Sequence, residues 1–281
     1  MPGIALVTDS TSDIPLDMAI KFNINVIPLK VVFGNKEYRD GIDLKPDEFY
    51  QKLDSSDSLP TTSLPAPSIF TELYEDLLEY NTDVVSVHLS TGLSGTVNAA
   101  RLAAERFRGK IHVFDSKSIS LGVGLLVLEA ARNIQSGLSA SEIMKKLETL
   151  RQNSETLFTL NTLEYLRKGG RIGKVSSLLG TMLNIKPVVR VNEEGIYTPF
   201  GKTRTQEQAL TLIEKGLAQL AAGRQAISLA VAHGAAPEAG NSLRTRLENL
   251  FNLKASIFTQ VGPVIGVHTG PGTVGAAVLY K

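Results

Sequence analysis

The stretch Ser90-Thr91-Gly92-Leu93-Ser94-Gly95-Thr96 sets the reading of the whole chain. Val84 to Leu89 before it is β-branched and apolar enough for a buried strand, and Val97 to Glu105 after it is a strong helix former. The stretch is therefore predicted as the turn from the carboxyl end of a strand into a helix, the place where open α/β sheets bind ligands. Hydroxyls and free backbone N–H groups at a helix start suit an anion, and two glycines let a ligand approach the backbone closely. Capping the helix needs one hydroxyl. Four are present, so a ligand-binding loop is expected.

Toward the N-terminus, Ile4 to Val7 reads as a buried first strand ending in the polar loop Thr8 to Asp13, and Ile14 to Phe22 as a short helix. Ile24 to Phe33 is an extended run interrupted by Pro28, so it bends or sits at an edge. Tyr38 to Gly41 is a turn, and Pro46 to Leu53 a helix with Pro near its start. Ser58 to Pro67 holds three prolines, which forbid a helix or a central strand. Its Thr61-Thr62-Ser63 cluster suits a binding loop better than a linker. A helix from Ser68 to Tyr80 is expected to turn Ile69, Leu73 and Leu77 inward.

Toward the C-terminus, Ile111 to Phe114 is a strand leading into Asp115-Ser116-Lys117-Ser118. Leu121 to Gln135 is a helix apolar nearly all round, hence buried, and Ser139 to Gln152 an amphipathic helix. Alternating strands and helices predict a parallel sheet. Beyond residue 155 the pattern changes. Thr156 to Leu160 is a strand, Thr162 to Leu166 a short helix, and Ser176 to Leu183 is helical. Pro187 to Asn192 and Ile196 to Phe200 form a hairpin. A helix from Thr205 to Ala222, a strand from Ile227, a helix from Glu238 and a strand from Ala255 follow. Extended runs at Val264–Val267 and Val274–Leu279 come last. The fold class expected is α/β with two domains: an N-terminal mostly parallel sheet flanked by helices over 1–155, and an α+β domain with a mixed sheet over 156–281.

Composition excludes several function classes. With 281 residues, 43% hydrophobic and 20% charged, a soluble globular protein with a large core is expected. A net charge of +1 and a chain without Trp argue against nucleic acid as partner. No Cys is present, which removes thiol and zinc-thiolate chemistry. Leu121 to Leu128, the longest apolar run, is too short to span a bilayer, so no stable membrane insertion is expected. The N-terminus reads as a strand and not a signal peptide, which makes the expected localisation cytoplasmic.

Gly270-Pro271-Gly272-Thr273-Val274-Gly275 spells a dinucleotide fingerprint, but the sequence to Lys281 holds no following helix and strand, and no phosphate-binding loop is found elsewhere. No cofactor is expected. The four histidines, His88, His112, His233 and His268, are scattered, and no metal site is expected. His88 and His112 lie within strands, whereas His268 is placed in a loop after a strand, where a ring nitrogen can reach a bound carboxylate. An acyl hydrolase or transferase with Ser94 as nucleophile is the alternative reading, with His268 as base and Asp115 as orienting acid by chain order. Thr96 stands where its elbow motif requires Gly. Arg167, Lys168, Arg171 and Lys174 crowd one turn, and Lys202 and Arg204 follow a strand. Together they make a basic patch for a negatively charged partner.

Five segments carry a family resemblance: Val7-Thr8-Asp9-Ser10, Pro60 to Pro65, Ser90 to Thr96, Leu163 to Ile172, and Gly266 to Gly272. In order and spacing over the whole chain they resemble the DegV family. One departure is Leu64, where many members carry Gln, a difference placed at the pocket rim. The resemblance implies a non-enzymatic protein that binds a long-chain fatty acid such as palmitate in a tunnel between its domains. It further implies that this fatty acid is presented to a separate ATP-dependent fatty acid kinase for acyl phosphate formation. By position, Thr62 and Ser94 are similar to the family's carboxylate-binding hydroxyls, His268 to its nearby histidine, and Arg171 to a residue near the kinase-docking face. Arg204 is added to the docking face from its place in the basic patch. Ile172, Leu179, Met182 and Ile185 are the expected linings of the tunnel.

Overall fold

The apolar runs at Ile4–Val7 and Val84–Leu89 form the two middle strands of a parallel sheet, with helices packed on both of its faces. The computed structural model describes residues 3–56, 58–178 and 185–281. In chain order the first half contains β1 (Gly3–Asp9), a 3-10 turn at Ser10–Ser12, α1 (Leu16–Lys21), β2 (Ile24–Ile27), β3 (Lys30–Phe33), β4 (Lys36–Arg39), α2 (Pro46–Asp54), β5 (Thr61–Ser63), α3 (Pro67–Leu78), β6 (Asn81–His88), α4 (Thr96–Ala104), β7 (Ile111–Asp115), α5 (Leu121–Gln135) and α6 (Ala140–Gln152). The second half contains β8 (Ser154–Thr159), α7 (Glu164–Lys168), a 3-10 segment at Gly173–Leu178, β9 (Lys186–Val191), β10 (Tyr197–Thr203), α8 (Gln206–Ala221), β11 (Ala226–His233), α9 (Pro237–Phe251), β12 (Ile257–Gln260), α10 (Pro263–Thr269) and β13 (Val274–Tyr280).

Among the described residues the strands form three sheets. The first is parallel in the order β2-β1-β6-β7, with Thr8 beside Val87 and Val87 beside Phe114. The largest is mixed, in the order β10-β9-β8-β13-β11-β12. The chain is thus α/β with a parallel sheet flanked by helices and a C-terminal mixed sheet. The expected boundary after residue 155 falls inside β8.

Helix α5 explains why the two large sheets lie face to face. Its residues Leu121 to Leu128 are all buried, and one apolar cluster joins them to Leu6, Val85 and Val87 of the parallel sheet and to Phe158, Ala230 and Ala277 of the mixed sheet. A helix hydrophobic on every side needs neighbours on every side. On the far face of the parallel sheet, Ala99 and Ala100 of α4 and Phe70 and Tyr74 of α3 pack on Val7 and Val84. On the far face of the mixed sheet, Ile213 and Leu217 of α8 and Leu243 and Leu247 of α9 pack on Leu157, Val231, Val274 and Val278. Neighbouring residues of β8 point to opposite cores, Leu157 to one and Phe158 to the other, as a strand's twofold alternation requires.

Local expectations are refined at four places. The run Ile24 to Phe33 is two strands of different sheets: Pro28 ends β2 at the edge of the parallel sheet, and β3 belongs to a small antiparallel sheet, β4-β3-β5. The Gly34-Asn35 turn between Phe33 and Lys36, with Gly34 at φ 57°, was the available hairpin signal. The proline-rich segment contributes β5, at the edge of that small sheet where prolines are tolerated. Helix α3 fully buries Phe70 and Tyr74 and packs Leu73 and Leu77 of the expected stripe, partly buried, on the same cluster, while Ile69 of that stripe is exposed. Within Ser176 to Leu183, residues 176–178 lie in the 3-10 segment, and 179–183 lie outside the described residues.

A buried polar chain fixes where β1 and β6 end. Asp9 and His88 are fully buried, and His88 Nδ1 stands 2.8 Å from Asp9 Oδ2. His88 Nε2 lies 2.7 Å from Ser86 Oγ, which lies 2.8 Å from the Tyr74 hydroxyl. The His88 Nδ1–H donates to the Asp9 carboxylate, and the Ser86 and Tyr74 hydroxyls continue the chain from Nε2, so both ring nitrogens are used. The other acceptor positions of Asp9 take the Leu89 N–H (3.2 Å) and the N–H of Thr11 (3.1 Å). Ser86→Ala is expected to destabilise the protein by about 1–3 kcal/mol, because it leaves a buried ring nitrogen and a buried phenol unpaired. A lowered urea midpoint with an unchanged slope is the expected result.

Candidate functional site

Parallel strand β1 has β2 on one side and β6 on the other, so the chain departs from β1 in opposite directions. The crevice outside the carboxyl ends of β1 and β6 is the binding place such a sheet offers. Three loops meet there: Ser10–Asp13 after β1, Leu89–Gly95 after β6, and Ser116–Ser120 after β7.

The loop Ser90 to Thr96 is held by its own backbone and by Asp115. Ser90 O accepts the N–H groups of Leu93 (3.0 Å) and Ser94 (3.1 Å), and Ser90 Oγ accepts that of Gly92 (3.0 Å). Thr91 donates to Asp115 through its N–H (3.3 Å) and its hydroxyl (2.6 Å), and Lys117 Nζ completes the cluster at 3.0 Å from Asp115. Asp115 is held below its ordinary pKa: burial opposes this, and the bonds from Thr91 and Lys117 outweigh it. Ser94 Oγ is half-buried, shares a hydrogen bond with Thr96 Oγ1 (2.9 Å) and accepts the Thr96 N–H (3.3 Å). The tip of the β9–β10 hairpin presses on this loop. A Cβ at Gly195, whose φ is 77°, would stand 2.0 Å from Ser90 Oγ. Both the backbone conformation and the closeness of the hairpin therefore require glycine there.

Thr62 and His268, 206 positions apart, meet. Thr62 Oγ1 shares a hydrogen bond with His268 Nε2 at 3.0 Å. Strand β5 carries Thr62 opposite Val31. His268 stands in the last turn of α10, which corrects the expectation of a strand at Val264–Val267 followed by a loop. Pro263 starts that helix with its preset φ, and burial of Val264, Ile265, Gly266 and Val267 hides any amphipathic period, so its β-branched residues read as a strand. His268 Nδ1 is buried with no hydrogen-bond partner, and a Cβ at Gly169 would lie 2.3 Å from it. Arg171 Nη1 donates to the Gly169 carbonyl at 2.8 Å, which places a guanidinium beside the histidine. Burial, and then the charge of Arg171, hold His268 down at a pKa of about 4. Leu64 connects this pair to the Ser94 loop: its Cδ2 lies 3.1 Å from the Cβ position of Gly95.

Between α5, the mixed sheet and α10 lies an apolar cavity of about 40 Å³, lined by Leu121, Phe158, Tyr197, Ala232, Val261 and Ile265, among others. This is room for molecules the size of water. Phe158 and Tyr197 meet edge to face at 5.3 Å in its wall. Of the residues expected to line a tunnel, Ile172 is half-buried against the same core, Ile185 is half-buried, and Leu179 and Met182 lie outside the described residues.

The structure thus brings Thr62 and His268 together, sets Arg171 beside them and places Ser94 on the adjoining loop. Arg204 is exposed, with its N–H on Gln208 Oε1 (3.1 Å). Two members of the basic cluster are paired, Lys168 with Glu164 (2.6 Å) and Lys174 with Glu194 (3.5 Å). Among the described residues no carboxylate pairs with Arg171 or Arg204. The three residues of the hydrolase alternative each have a different partner: Ser94 has Thr96, His268 has Thr62, and Asp115 has Thr91 and Lys117. The serine–histidine–aspartate chain that does form, Ser86–His88–Asp9, is sealed in the core and reaches no substrate. Sequence reading placed His88 in a strand without finding its partners, since Asp9 is 79 positions away. Among the described residues no three His, Cys, Asp or Glu side chains form a metal site, and no helix is long and apolar enough to cross a membrane.

Because the His268 pKa lies below its unfolded value near 6.5, the unfolded chain binds the extra proton first as pH falls. His268 therefore supports folding fully above about pH 6.5 and loses that contribution as pH falls toward 4. In ring-nitrogen NMR, His268 is expected to stay neutral at pH 6 and titrate near 4, and Arg171→Ala should raise that midpoint. A midpoint near 6.5 in the native protein would contradict the buried placement.

Comparison with known proteins adds the following. A model of the DegV family, described as uncharacterised proteins, matches residues 3–281. A DegV domain-containing protein of Clostridium perfringens is 38% identical over 281 residues, covering 99% of each chain. A Thermus thermophilus structure, described as fatty acid binding of a DegV family protein, superposes with a TM-score of 0.93 at 38% identity, covering 99% of this chain and 100% of that one. DegV of Bacillus subtilis, described as a fatty acid binding protein, superposes with a TM-score of 0.90 at 33% identity over the whole of both chains. Matched from its first described strand to its last residue in both sequence and fold, this chain belongs to the DegV family.

Proposed function

We propose that the protein binds a long-chain fatty acid between the halves 1–155 and 156–281. In this reading Thr62, Ser94 and His268 hold the carboxylate, and the carboxylate is presented to an ATP-dependent fatty acid kinase. The observation that carries it is the half-buried Thr62–His268 pair, which joins β5 to α10 at the end of an apolar seam. The fatty acid binding of the Thermus and Bacillus relatives supports the same ligand class.

The chemistry is consistent. A carboxylate leaving water needs several donors. Hydroxyls of Thr62 and Ser94 and the ring of His268 can supply them, and a neutral imidazole donates one N–H while accepting at its other nitrogen. Affinity comes from the tail. About a dozen methylenes at about 0.8 kcal/mol each give on the order of 10 kcal/mol before ordering costs. The cavity near Phe158 and Tyr197 is far smaller than such a chain, so loading requires its lining side chains to part. Arg171 and Arg204, exposed and without carboxylate partners among the described residues, are proposed to face the kinase, where charge sets encounter rate and orientation.

Lipid extracted from the purified protein and analysed by mass spectrometry is expected to contain a fatty acid of long chain. Thr62→Ala with Ser94→Ala should weaken palmitate binding by about 1–3 kcal/mol for each lost hydrogen bond, with the fold retained. Arg171→Ala with Arg204→Ala should leave palmitate binding intact and cut acyl phosphate formation in a reconstituted kinase assay. Absence of both co-purified and added fatty acid would reject the lipid reading. Turnover of an acyl ester by the isolated protein would favour Ser94 as nucleophile.

A further inference from the structure

A second cleft lies along the Ser10–Asp13 turn, bounded by α1, β2, the Asp40–Leu44 turn and the segment 259–262. Its volume is about 690 Å³, within the range of small-molecule sites. Its rim exposes four large apolar side chains, Leu16 (70%), Ile20 (72%), Ile42 (50%) and Val26 (39%). Leaving such a cluster in water is unfavourable, and a ligand's apolar body covers it favourably.

The floor of the cleft carries two carboxyl groups. Asp13, held in the left-handed region at φ 50°, accepts the Ser120 hydroxyl (2.5 Å) and the Gly262 N–H (2.8 Å). Asp40 is 4% exposed, and neither of its oxygens has a well-formed hydrogen bond, although the Ser10 hydroxyl and the Val264 N–H face it. One oxygen of each aspartate lies 3.2 Å from the point where a Gly262 Cβ would stand, so the two converge on one spot beside the backbone. Among the described residues no Lys or Arg pairs with either. Lys45, at the cleft wall, spends its ammonium on the Gly41 carbonyl.

We propose that this cleft binds an alkylammonium, a primary amine on an apolar chain, with the ammonium between Asp13 and Asp40 and the chain along Leu16, Ile20 and Ile42. An ammonium brings donors to the Asp40 oxygens, which lack well-formed hydrogen bonds among the described residues, and a positive charge to two carboxyls that have no cationic partner. The short apolar rim then selects an organic cation over a bare ion. No part of the fatty acid reading enters this proposal.

Burial holds Asp13 up at about 8 and Asp40 at about 7. Ammonium binding requires their ionised forms, so affinity rises with pH through this window and falls again only as the amine loses its own proton near 10. The other charged or titratable groups facing the pair are Asp9 on β1, Tyr50 on α2 and Lys45 before it; the charge of Asp40 on Asp13, and that of Asp9 on both, add to the upward shifts.

Calorimetric titration with hexylammonium chloride in a potassium buffer tests the proposal. Saturable binding is expected at about pH 8 and weaker binding at about pH 6. Asp40→Asn should weaken it on the order of tenfold or more. Leu16→Ala with Ile20→Ala, both exposed and neutral to folding, should weaken it several-fold. Hexan-1-ol should give no heat. Equal binding of hexanol, unchanged affinity in Asp40→Asn, or no hexylammonium binding at pH 8 would each overturn it. The far-ultraviolet circular dichroism spectrum and a cooperative urea transition of Asp40→Asn verify that the variant is folded.

Discussion

An aspartate and a histidine without access to water hold the two central parallel strands in register at their carboxyl ends. Asp9 closes β1, His88 closes β6, and the carboxylate also grips an N–H of the loop that follows each strand. Burying such groups is favourable only when every donor and acceptor is used, so the geometry of both loops is fixed together. Ser86 and Tyr74 extend the chain into α3, which ties the helix covering the sheet's outer face to the same point. The crevice outside the two strands therefore has walls held by buried polar bonds, although it is built from loops.

The second requirement is that both ends of the chain reach that crevice. Asp13 binds Ser120 and the Gly262 N–H, joining the turn after β1 to the starts of α5 and α10. Through α10 the histidine from the C-terminal part arrives beside a threonine from the N-terminal part. Closely packed glycines make the approach feasible: Gly169 against the imidazole and Gly195 against Ser90 leave no room for a methyl group. The polar end of the proposed lipid site is thus shared between sequence halves, while its apolar seam belongs to α5 and the mixed sheet.

Much of this was legible from residue order. The Ser90 to Thr96 turn, the helix Leu121 to Gln135 with its buried run Leu121 to Leu128, and the hairpin around Gly195 follow from local pattern, and each is found where the pattern places it. What failed shares a cause. Val264–Val267 carries a strand's composition inside a helix, because complete burial erases the periodicity that distinguishes the two. On α3 the expected stripe is only the margin of the buried face: Leu73 and Leu77 pack inward partly buried, Phe70 and Tyr74 lie at its centre, and Ile69 is exposed. Thr62, Ser94 and His268 were named from family likeness. The meeting of Thr62 with His268, and of Asp9 with His88, depends on long-range pairing that spacing does not encode.

The order β8-β13-β11 has a consequence for how the molecule comes into being. Strand β13 is the last in sequence yet sits in the middle of its sheet, paired antiparallel on both sides. During synthesis, β8 with its hairpin partners and β11 with β12 emerge before the strand that joins them. Each half then presents an open edge and an incomplete core, the condition under which nascent chains pair wrongly or aggregate. Insertion of β13 closes both edges in one step and brings α10, directly before it, into place. Quality control by the cell thus acts on a chain whose largest sheet and whose proposed lipid site are completed together, only once β13 has been made.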